Sequence, residues 1–332
     1  MAKAIQMREY GDPSVLKLVD ITLPDLQPTE VRLQTLAAAV NRADVEIRKG
    51  KWQIMAANPF PYTPGLEVVG EVVEIGHDVA SVKIGDRVIT MMQKLGGIHG
   101  IRPGGYQEFV TVEAETVTVI PPELNPLEVA ALGLAAVTAY NGIKRLHIQP
   151  GQSVVVHGAS GGVGSVAVSM AKALKARVLA TTSNSSKEAY LRGIGADEVI
   201  HLGNNRRLID TVSPRSVEAV FETIGQQTFS DSVAVLKREG HLCLVGAASG
   251  ENLCFIAWDL LQDLHLTGYS SENLTGEDLR GAIQQICNWL ATHQVPAPAY
   301  STFLLQEAAH VHSLMEERKL TGRALLVFKK EK

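Results

Sequence analysis

The chain has few cysteines and no segment typical of secretion or membrane insertion. Its 332 residues include 3 cysteines, all in the second half, and this odd, sparse count predicts reduced thiols in a cytoplasmic setting. The N-terminal segment MAKAIQMREY has no apolar core, so no secretory signal is expected. The longest largely apolar run, Val129 to Tyr140, falls far short of the roughly 20 residues of a membrane span and predicts a packed helix.

Positive charge is also scarce. The chain has 31 Lys and Arg against 35 Asp and Glu, and the resulting net charge of −4 leaves no basic surface for nucleic acid or anionic membrane. No internal repeat, low-complexity segment or block of like charge is visible. A chain of this length is long for one core, so we expect two domains. The composition, 45% hydrophobic, agrees with an enzyme, for which the expected partner is a small-molecule substrate.

The most informative segment is SVVVHGASGGVGSVAVSMAKALKARVLATTSN, which spans residues 153 to 184. A short β-branched run leads into a glycine-rich turn and then into a helix of small residues, as in dinucleotide-binding crossovers. The glycines allow a tight turn and close approach to a pyrophosphate, and the helix N-terminus offers free N–H groups. We therefore predict cofactor contacts at Gly158, Ala159, Ser160, Gly161, Gly162, Val163 and Gly164, and at Gly246 after the later strand HLCLV.

The same letters fit a second motif. Gly158 to Gly162 satisfies the G-x-S-x-G pattern of a hydrolase elbow, which would make Ser160 a nucleophile. An elbow does not need Gly164, and a hydrolase would show strand and helix alternation before the nucleophile. The dinucleotide interpretation is therefore favoured over the hydrolase.

The end of the next strand bears on the choice of cofactor. An NAD site usually places Asp or Glu there to hold the ribose 2′-hydroxyl, but this chain has Thr181, Thr182, Ser183 and Asn184. Small hydroxyls with a nearby cation suit a 2′-phosphate. We predict NADP(H), with Ser183 and Lys187 as the contacts.

The two halves of the chain differ in pattern. Residues 1 to about 120 carry short β-branched or alternating runs separated by Gly, Pro and Asp, which predicts a mostly β domain. After the crossover, strand and helix patterns alternate, including a helix around Phe229 to Arg238. The pattern of the last segment, from about residue 301, predicts a strand, an amphipathic helix and a second strand. We expect this segment to return to the first domain.

Ordered motifs along nearly the whole chain resemble the zinc-independent medium-chain dehydrogenase/reductase family, in particular its quinone oxidoreductases and enoyl reductases. The resemblance implies an α/β fold: a GroES-like, mostly β catalytic domain at 1–122 and 296–332, and a Rossmann domain with a doubly wound parallel sheet at 123–295. The motifs are NRADVEIRKG (41–50), PYTPGLEVVGEVVEIG (61–76), KIGDRV (83–88), GGYQEFV (104–110), GASGGVG (158–164) and LRGIGADEVI (191–200).

The zinc-dependent branch of the family can be compared position by position. Where its members carry two Cys and one His as ligands, this chain has Asn41, Leu134 and Leu66. The loop from Met91 to Gly105 lacks the cysteines of a structural zinc lobe. We expect no metal, and we expect the remaining carboxylates Asp44 and Glu67 to be buried and bonded to backbone or Arg.

The resemblance also suggests which residues lie near the nicotinamide and the substrate. It implies that Asn41 lies beside the nicotinamide, where its amide would bond the carboxamide or a substrate carbonyl, and that Thr138 lines the cofactor cleft. Two positions where many relatives carry Tyr are Glu46 and Trp52 here. Glu46 is either a proton donor or a solvated charge, and the solvated charge is favoured; Trp52 is a stacking surface, a lid or a core residue. Tyr62 is a weaker donor candidate.

Arg323 matches a basic position that often approaches the cofactor phosphates, with a solvent-facing strand residue as the alternative. The sequence thus predicts a cytoplasmic, NADPH-dependent enzyme that reduces a quinone, enone or enoyl thioester. The resemblance implies a homodimer that pairs through the strand HLTGYSS (265–271). Rival interpretations are the hydrolase and a cofactor-binding protein of the same fold with a non-redox, structural or RNA-interacting role.

Overall fold

The computed structural model describes residues 1–203 and 205–328. The strands in this part are β1 (Ala2–Gln6), β2 (Lys17–Ile21), β3 (Glu30–Ala39), β4 (Glu67–Ile75), β5 (Arg87–Met91), β6 (Phe109–Glu113), β7 (Thr118–Val119), β8 (Ser153–Val156), β9 (Arg177–Thr182), β10 (Glu198–His201), β11 (Val217–Glu222), β12 (Leu236–Leu244), β13 (His265–Gly268), β14 (Tyr300–Leu304) and β15 (Arg323–Val327).

The α-helices of the same part are α1 (Arg42–Arg48), α2 (Pro126–Arg145), α3 (Gly162–Ala173), α4 (Glu188–Gly193), α5 (Phe229–Ala234), α6 (Ala257–Leu260), α7 (Gly276–Ala291) and α8 (Ala308–Glu316). The helix predicted around Phe229 to Arg238 is wrong in its second half. It ends at Ala234, and Leu236 begins β12, where it pairs with Val217 of β11.

The chain forms two compact units. The first unit comprises Met1–Leu134, Glu272–Cys287 and Ala299–Lys332, and the second comprises Ala135–Ser271 and Asn288–Pro298. The domain bounds expected from the sequence remain a proposal, and the last four residues of the range 296–332 lie outside the described part of the chain.

The first unit is built on a mostly antiparallel sheet in the order β14-β15-β3-β4-β5-β7, with β6 also paired to β3. Leu325 of β15 pairs with Ala39 of β3, and Ala37 of β3 pairs with Val69 of β4. Antiparallel pairing therefore brings the last residues of β3 to the first residues of β4 and β15. As a result, the residues next to these ends of β3, β4 and β15 lie close together.

The second unit is a parallel six-stranded sheet in the order β10-β9-β8-β11-β12-β13. The strand order reverses between β8 and β11, which is the switch point at which open α/β sheets bind their ligands. Val154, Val155 and Val156 of β8 are fully buried, as expected for a strand covered on both faces. The predicted α/β class, with a mostly β unit and a doubly wound parallel sheet, is confirmed.

Helix α2 contains the longest apolar run. It is long and apolar enough to cross a membrane, but 72% of its apolar 18-residue stretch is buried inside the protein. The run Val129 to Tyr140 is therefore a packed core helix, as predicted. The helix is kinked at Gly133, where φ is 38° and ψ is −138°.

Candidate functional site

The glycine-rich turn of the second unit joins β8 to α3. Gly158 has a φ of 60°, and a Cβ at this position would overlap the Thr223 hydroxyl. A Cβ at Gly164 would overlap the Gly158 carbonyl oxygen and lie 2.8 Å from the Ala159 Cα. The turn therefore has room for backbone alone, and it lies where a pyrophosphate can approach closely.

The start of α3 offers donors to an anion. Its N-cap is Gly161, which has no side chain to accept a bond from the helix. The first N–H groups, from Gly162 to Gly164, have no intrahelical acceptor because they precede the first helical turn. Together with the positive end of the helix dipole, they suit a phosphate. These residues fit a dinucleotide.

A buried histidine lies directly before the turn. The Nδ1 atom of His157 lies 3.1 Å from the Thr181 Oγ1, and the His157 carbonyl accepts a bond of 2.8 Å from the Thr223 hydroxyl. Ala159 N donates to the Thr181 carbonyl over 3.1 Å. Burial lowers the pKa of His157, so the ring stays neutral and ties β8 to β9. The sequence prediction missed His157, although its place between strand and turn was the available signal.

The edge of β9 carries hydroxyls and a lysine. Thr181 and Thr182 are buried, Ser183 is exposed, and Lys187 is half-buried. Partial burial lowers the pKa of Lys187. Residues 181–187 contain no carboxylate that would hold a ribose 2′-hydroxyl or repel a 2′-phosphate.

Gly246 follows β12 and lies against the end of β11. A Cβ on Gly246 would lie 3.0 Å from the Thr223 carbonyl oxygen. The adjoining loop is held by Glu222, a fully buried carboxylate that accepts bonds from the Ile224 N–H and from the hydroxyls of Thr228 and Ser232. Gly246 thus packs on the loop that follows β11.

A buried polar cluster occupies the first unit, where β3, β4 and β15 meet. Arg323 Nη2 lies 2.5 Å from Glu67 Oε1, and Arg323 Nη1 lies 3.1 Å from Asn41 Oδ1. Asn41 Nδ2 donates to Glu67 Oε1 over 2.8 Å, and the Leu134 N–H donates to Glu67 Oε2 over 2.6 Å. Burial raises the pKa of Glu67, and the Arg323 charge opposes that rise. The expectation that Glu67 is bonded to backbone and Arg is confirmed.

One of the two alternatives for Arg323 is wrong. The residue is only 5% exposed, so it is not a solvent-facing strand residue. Its approach to the cofactor phosphates stays a prediction, and in the structure its Nη1 and Nη2 atoms bond to Asn41 and Glu67. The sheet register explains these contacts, because it places the starts of β15 and β4 on either side of the end of β3.

Asp44 is a second buried carboxylate of the first unit. Its Oδ2 accepts the Asn41 N–H over 2.8 Å and its Oδ1 accepts the Gly65 N–H over 3.1 Å, so it is bonded to backbone as expected. Burial is the largest cause that raises the pKa of Asp44, to about 7, and the nearby charge of Glu67 adds to the rise.

We expect Asp44→Asn to change how stability depends on pH. Because the folded pKa of Asp44 lies above its unfolded value, the folded state holds a proton that unfolding releases, and stability falls as pH rises from about 4 to about 7. The difference between wild type and variant should change over this range by no more than about 4 kcal/mol. Urea unfolding at several pH values checks this, and a constant difference between the two proteins contradicts it.

Tyr62 and Tyr106 are both buried. The Tyr62 hydroxyl accepts the Gly97 N–H over 3.0 Å, and burial raises its pKa. The Tyr106 hydroxyl lies 3.3 Å from His312 Nε2. Burial lowers the pKa of His312 to about 3, so this histidine is neutral at physiological pH.

Glu46 and Trp52 lie close together in the chain and in space. The solvated charge favoured for Glu46 is wrong, because the side chain is 7% exposed. Its Oε1 lies 2.5 Å from Arg42 Nη2 and its Oε2 lies 3.5 Å from Lys51 Nζ, which compensate the carboxylate. Trp52 is 42% exposed, so it is not a core residue.

Thr138 lies on α2 in the second unit and is 9% exposed. Of the predicted site residues, the cluster in the first unit brings together Asn41, predicted as catalytic, and Arg323, predicted as a cofactor contact. Glu46 and Trp52 form a neighbouring pair, joined by a bond of 3.3 Å from the Trp52 N–H to the Glu46 carbonyl. Tyr62 bonds to Gly97 on a separate loop.

The cluster does not fit a zinc ion. Zinc needs Cys, His or carboxylate ligands in tetrahedral reach, and the residues at the compared positions are Asn41, Leu66 and Leu134. The guanidinium of Arg323 already compensates the charge of Glu67. Within residues 1–203 and 205–328, no group of three or more His, Cys, Asp or Glu side chains could hold a metal ion.

Known proteins match this chain in both halves. Residues 27–122 match the family described as alcohol dehydrogenase GroES-like domain, and residues 162–288 match the family described as zinc-binding dehydrogenase. A quinone oxidoreductase of Lama guanicoe is 32% identical over 254 residues, covering 74% of this chain and 73% of that protein. A 2-methylene-furan-3-one reductase of Solanum lycopersicum is 33% identical, covering 76% of this chain and 65% of that protein.

A solved structure gives the same fold over almost the whole length. The Escherichia coli quinone oxidoreductase in complex with NADPH superposes with a TM-score of 0.86 at 26% identity, covering 98% of this chain and 100% of that one. The glycine-rich turn and the order of the parallel sheet indicate a dinucleotide-binding fold, and the similarity to these relatives indicates the same family. The chain belongs to the medium-chain dehydrogenase/reductase family, among its quinone oxidoreductase-like, NAD(P)H-dependent reductases.

Proposed function

We propose that this protein uses NADPH, without zinc, to reduce a quinone, an enone or an enoyl thioester. The observation that carries the proposal is the Asn41–Glu67–Arg323 cluster. Asn41 stands at a compared zinc-ligand position, and the guanidinium of Arg323 already compensates the charge of Glu67, so these residues do not suit a metal that would polarise an alcohol or ketone. Reduction of an activated C=C bond or a quinone does not need such a metal. The named activities of the Lama guanicoe and Solanum lycopersicum proteins, a quinone oxidoreductase and a 2-methylene-furan-3-one reductase, support the quinone and enone classes.

The bound cofactor would supply hydride to an electron-poor carbon, and the substrate oxygen that gains charge must then be stabilised and protonated. We propose that Asn41 lies beside the nicotinamide and that Thr138 lines its cleft. The half-exposed indole of Trp52 gives a flat surface on which a substrate ring can stack. The Tyr62 hydroxyl accepts a bond from Gly97 and stays protonated, so its own O–H is available as a donor.

A panel of acceptors tests the reaction. Purified protein is given NADPH with quinones, enones or enoyl thioesters, and the oxidation of the cofactor is followed. Turnover with one of these classes supports the proposal and identifies the substrate class. If the protein hydrolysed an ester and Ser160→Ala abolished this activity, the hydrolase would be supported instead. In the described part of the chain, no hydrogen bond joins the Ser160 hydroxyl to a histidine.

We also propose that Ser183 and Lys187 select NADPH over NADH. Asp at 183 would accept a bond from the ribose 2′-hydroxyl and repel a 2′-phosphate. We expect Ser183→Asp to weaken NADPH binding by about 30-fold, a change of roughly 2 kcal/mol, while NADH binding stays equal or improves. Fluorescence titration of both cofactors measures this. Ser301→Asp, which adds the same charge on exposed β14 of the first unit, should change neither affinity.

The proposed homodimer pairs through β13. This strand ends the sheet order of the second unit, so within residues 1–203 and 205–328 one side of it has no neighbouring strand. The segment just before it exposes a run of large apolar side chains, among them Ile256 at 61%, Trp258 at 74% and Leu261 at 67%. An edge strand flanked by exposed apolar side chains suits a symmetric contact with a second copy.

Trp258→Glu should convert such a dimer to a monomer, because a charge would be buried at the contact. Light scattering after gel filtration measures the mass. Ile84→Glu is a matched control, since Ile84 is 63% exposed on the first unit. A wild-type mass equal to one chain contradicts the dimer.

A further inference from the structure

Three histidines lie together at the edge of the parallel sheet in the second unit. His241 of β12 and His265 of β13 are partners in the register of the two strands, and their rings stack with centroids 4.5 Å apart and planes 12° apart. The ring of His147, which follows α2, has its centroid 5.2 Å from that of His241. Because the His241 ring contacts both of the others, the three residues form one histidine stack.

The histidine stack secures one face of β13. This strand is short, is poorly buried, and ends the sheet order. Leu264 and Leu266 pack against the apolar core of the second unit. Because side chains alternate along a strand, His265 lies on the opposite face, where its ring stacks on that of His241. The strand is therefore held by leucines on one face and by the stack on the other.

The geometry of the stack opposes its protonation. Histidine is the side chain that ordinarily takes up a proton at about pH 6.5. Burial is the largest cause that lowers the pKa of half-buried His241, and the charges of His265 and His147 lower it further. Two protonated rings 4.5 Å apart repel each other, because this distance is shorter than the screening length of physiological salt. The stack is therefore stable while its rings are uncharged.

Charged side chains of the surrounding elements do not offset protons on the stack. The end of α2 and the strands β11 to β13 with their flanking residues carry Lys144, Arg145, Glu218, Glu222, Lys237, Arg238, Glu239 and Asp263. Glu218 and Asp263 are already paired with cations of β12. Glu222 accepts its bonds from the loop after β11 and from α5, and Glu239 is exposed, where solvent screens its charge. The cation Arg145 would repel a protonated histidine.

We propose that the stack of His147, His241 and His265 is an acid-sensitive clasp on β13. While the rings are uncharged, the clasp holds the strand on the sheet. When more than one ring has taken a proton from water, the rings separate and the strand loosens. The proposed homodimer pairs through β13, so acid would also weaken the dimer. That consequence rests on the proposed homodimer, whereas the loosening of β13 does not.

Hydrogen exchange followed by mass spectrometry tests the clasp on the intact protein. Because the folded pKa of His241 is lowered, the stability that the stack contributes is complete above the ordinary histidine pKa of about 6.5 and is lost as pH falls. After correction for the intrinsic exchange rate, we expect residues 264–268 to open about 10-fold more often at about pH 5.5 than at about pH 7.5. The amides of buried β8 in the same unit should show no such change.

Single substitutions identify the histidines as the cause. His241→Phe keeps a flat ring in the stack but cannot take up a proton, so the pH effect on residues 264–268 should fall below about 2-fold. His265→Phe, at an exposed position, should reduce the effect in the same way, and it takes the place of His241→Phe if that variant does not fold. His77→Phe, at an exposed histidine of the first unit, is the matched control and should keep the full effect.

An equal pH effect in the wild type and in the Phe variants of the stack would overturn the clasp. A wild type in which residues 264–268 open equally often at both pH values would overturn it too. Light scattering tests the consequence for assembly: the wild-type dimer should dissociate more readily at the lower pH, and the His241→Phe dimer should not. A wild-type mass of one chain at the higher pH would contradict the proposed homodimer, and the exchange measurement would still decide the clasp.

Discussion

Gly164→Val should weaken NADPH binding by at least about 100-fold, or roughly 2.7 kcal/mol. The added Cβ would overlap the Gly158 carbonyl oxygen and crowd the Ala159 Cα. Both contacts are backbone, so no flexible side chain can move aside, and the turn or the start of α3 must shift. Calorimetric titration with NADPH measures the loss.

Two further variants separate a binding defect from a folding defect. Gly193→Ala is the matched control, because a Cβ there would meet nothing within 4 Å, and it should bind NADPH as the wild type does. Gly161→Ala meets only the Gly158 carbonyl at 3.3 Å and should fold, yet bind about 10-fold more weakly because its methyl narrows the approach of the pyrophosphate. Unchanged binding in both Gly164→Val and Gly161→Ala would mean that phosphates bind elsewhere.

Arg323→Met should lower the free energy of unfolding by about 3 kcal/mol or more, because it leaves the buried carboxylate of Glu67 without its cation. The double variant Glu67→Gln/Arg323→Met removes both charges and should recover more than half of this loss. Arg8→Met, at an exposed arginine of the same unit, is the control and should change stability little. Urea unfolding at neutral pH gives all of these values.

The loss of stability in Arg323→Met should also depend on pH, and the direction of this dependence can be predicted. Without Arg323 the pKa of buried Glu67 rises further, so the folded state holds a proton that the unfolded state releases. The stability contributed by this proton is complete below the ordinary glutamate pKa of about 4.3 and is lost as pH rises towards the folded pKa. The defect of Arg323→Met should therefore be smaller at pH 5 than at pH 8, and a larger defect at pH 5 would exclude this cause.

The strand, glycine-rich turn and helix of the second unit were predictable because their determinants are local. The strand, the glycine-rich turn and the helix lie within about thirty consecutive residues, and the steric requirement for each glycine can be inferred from the sequence. The alternation of strands and helices after the turn likewise predicts the parallel sheet. The helix predicted to run to Arg238 failed because pairing with β11 draws Leu236 into β12.

The polar cluster was only partly predictable because its determinants are far apart in the chain. Glu67 and Asp44 were expected to be buried and bonded, because they are the carboxylates that remain of the compared zinc-branch motifs and buried polar groups are hydrogen-bonded. Arg323 lies 282 residues from Asn41, and only the register of β15, β3 and β4 brings the two together. Glu46 was misjudged for a different reason, because its partners are local: Arg42 and Lys51 lie four and five residues away, and a charged residue on a short helix gave no sign that they would compensate a buried carboxylate.

The most direct measurement is transfer of deuterium from C4-deuterated NADPH to an enone by protein that has been treated with a chelator. The account predicts that the label appears on carbon in the product, that transfer is as fast with the chelator as without it, and that NADPH is used faster than NADH. Tight binding of NADPH with no transfer to any enone, quinone or enoyl thioester would contradict it and favour a non-redox role for the same fold. Transfer that depends on added zinc would contradict the role given to Arg323 and Glu67.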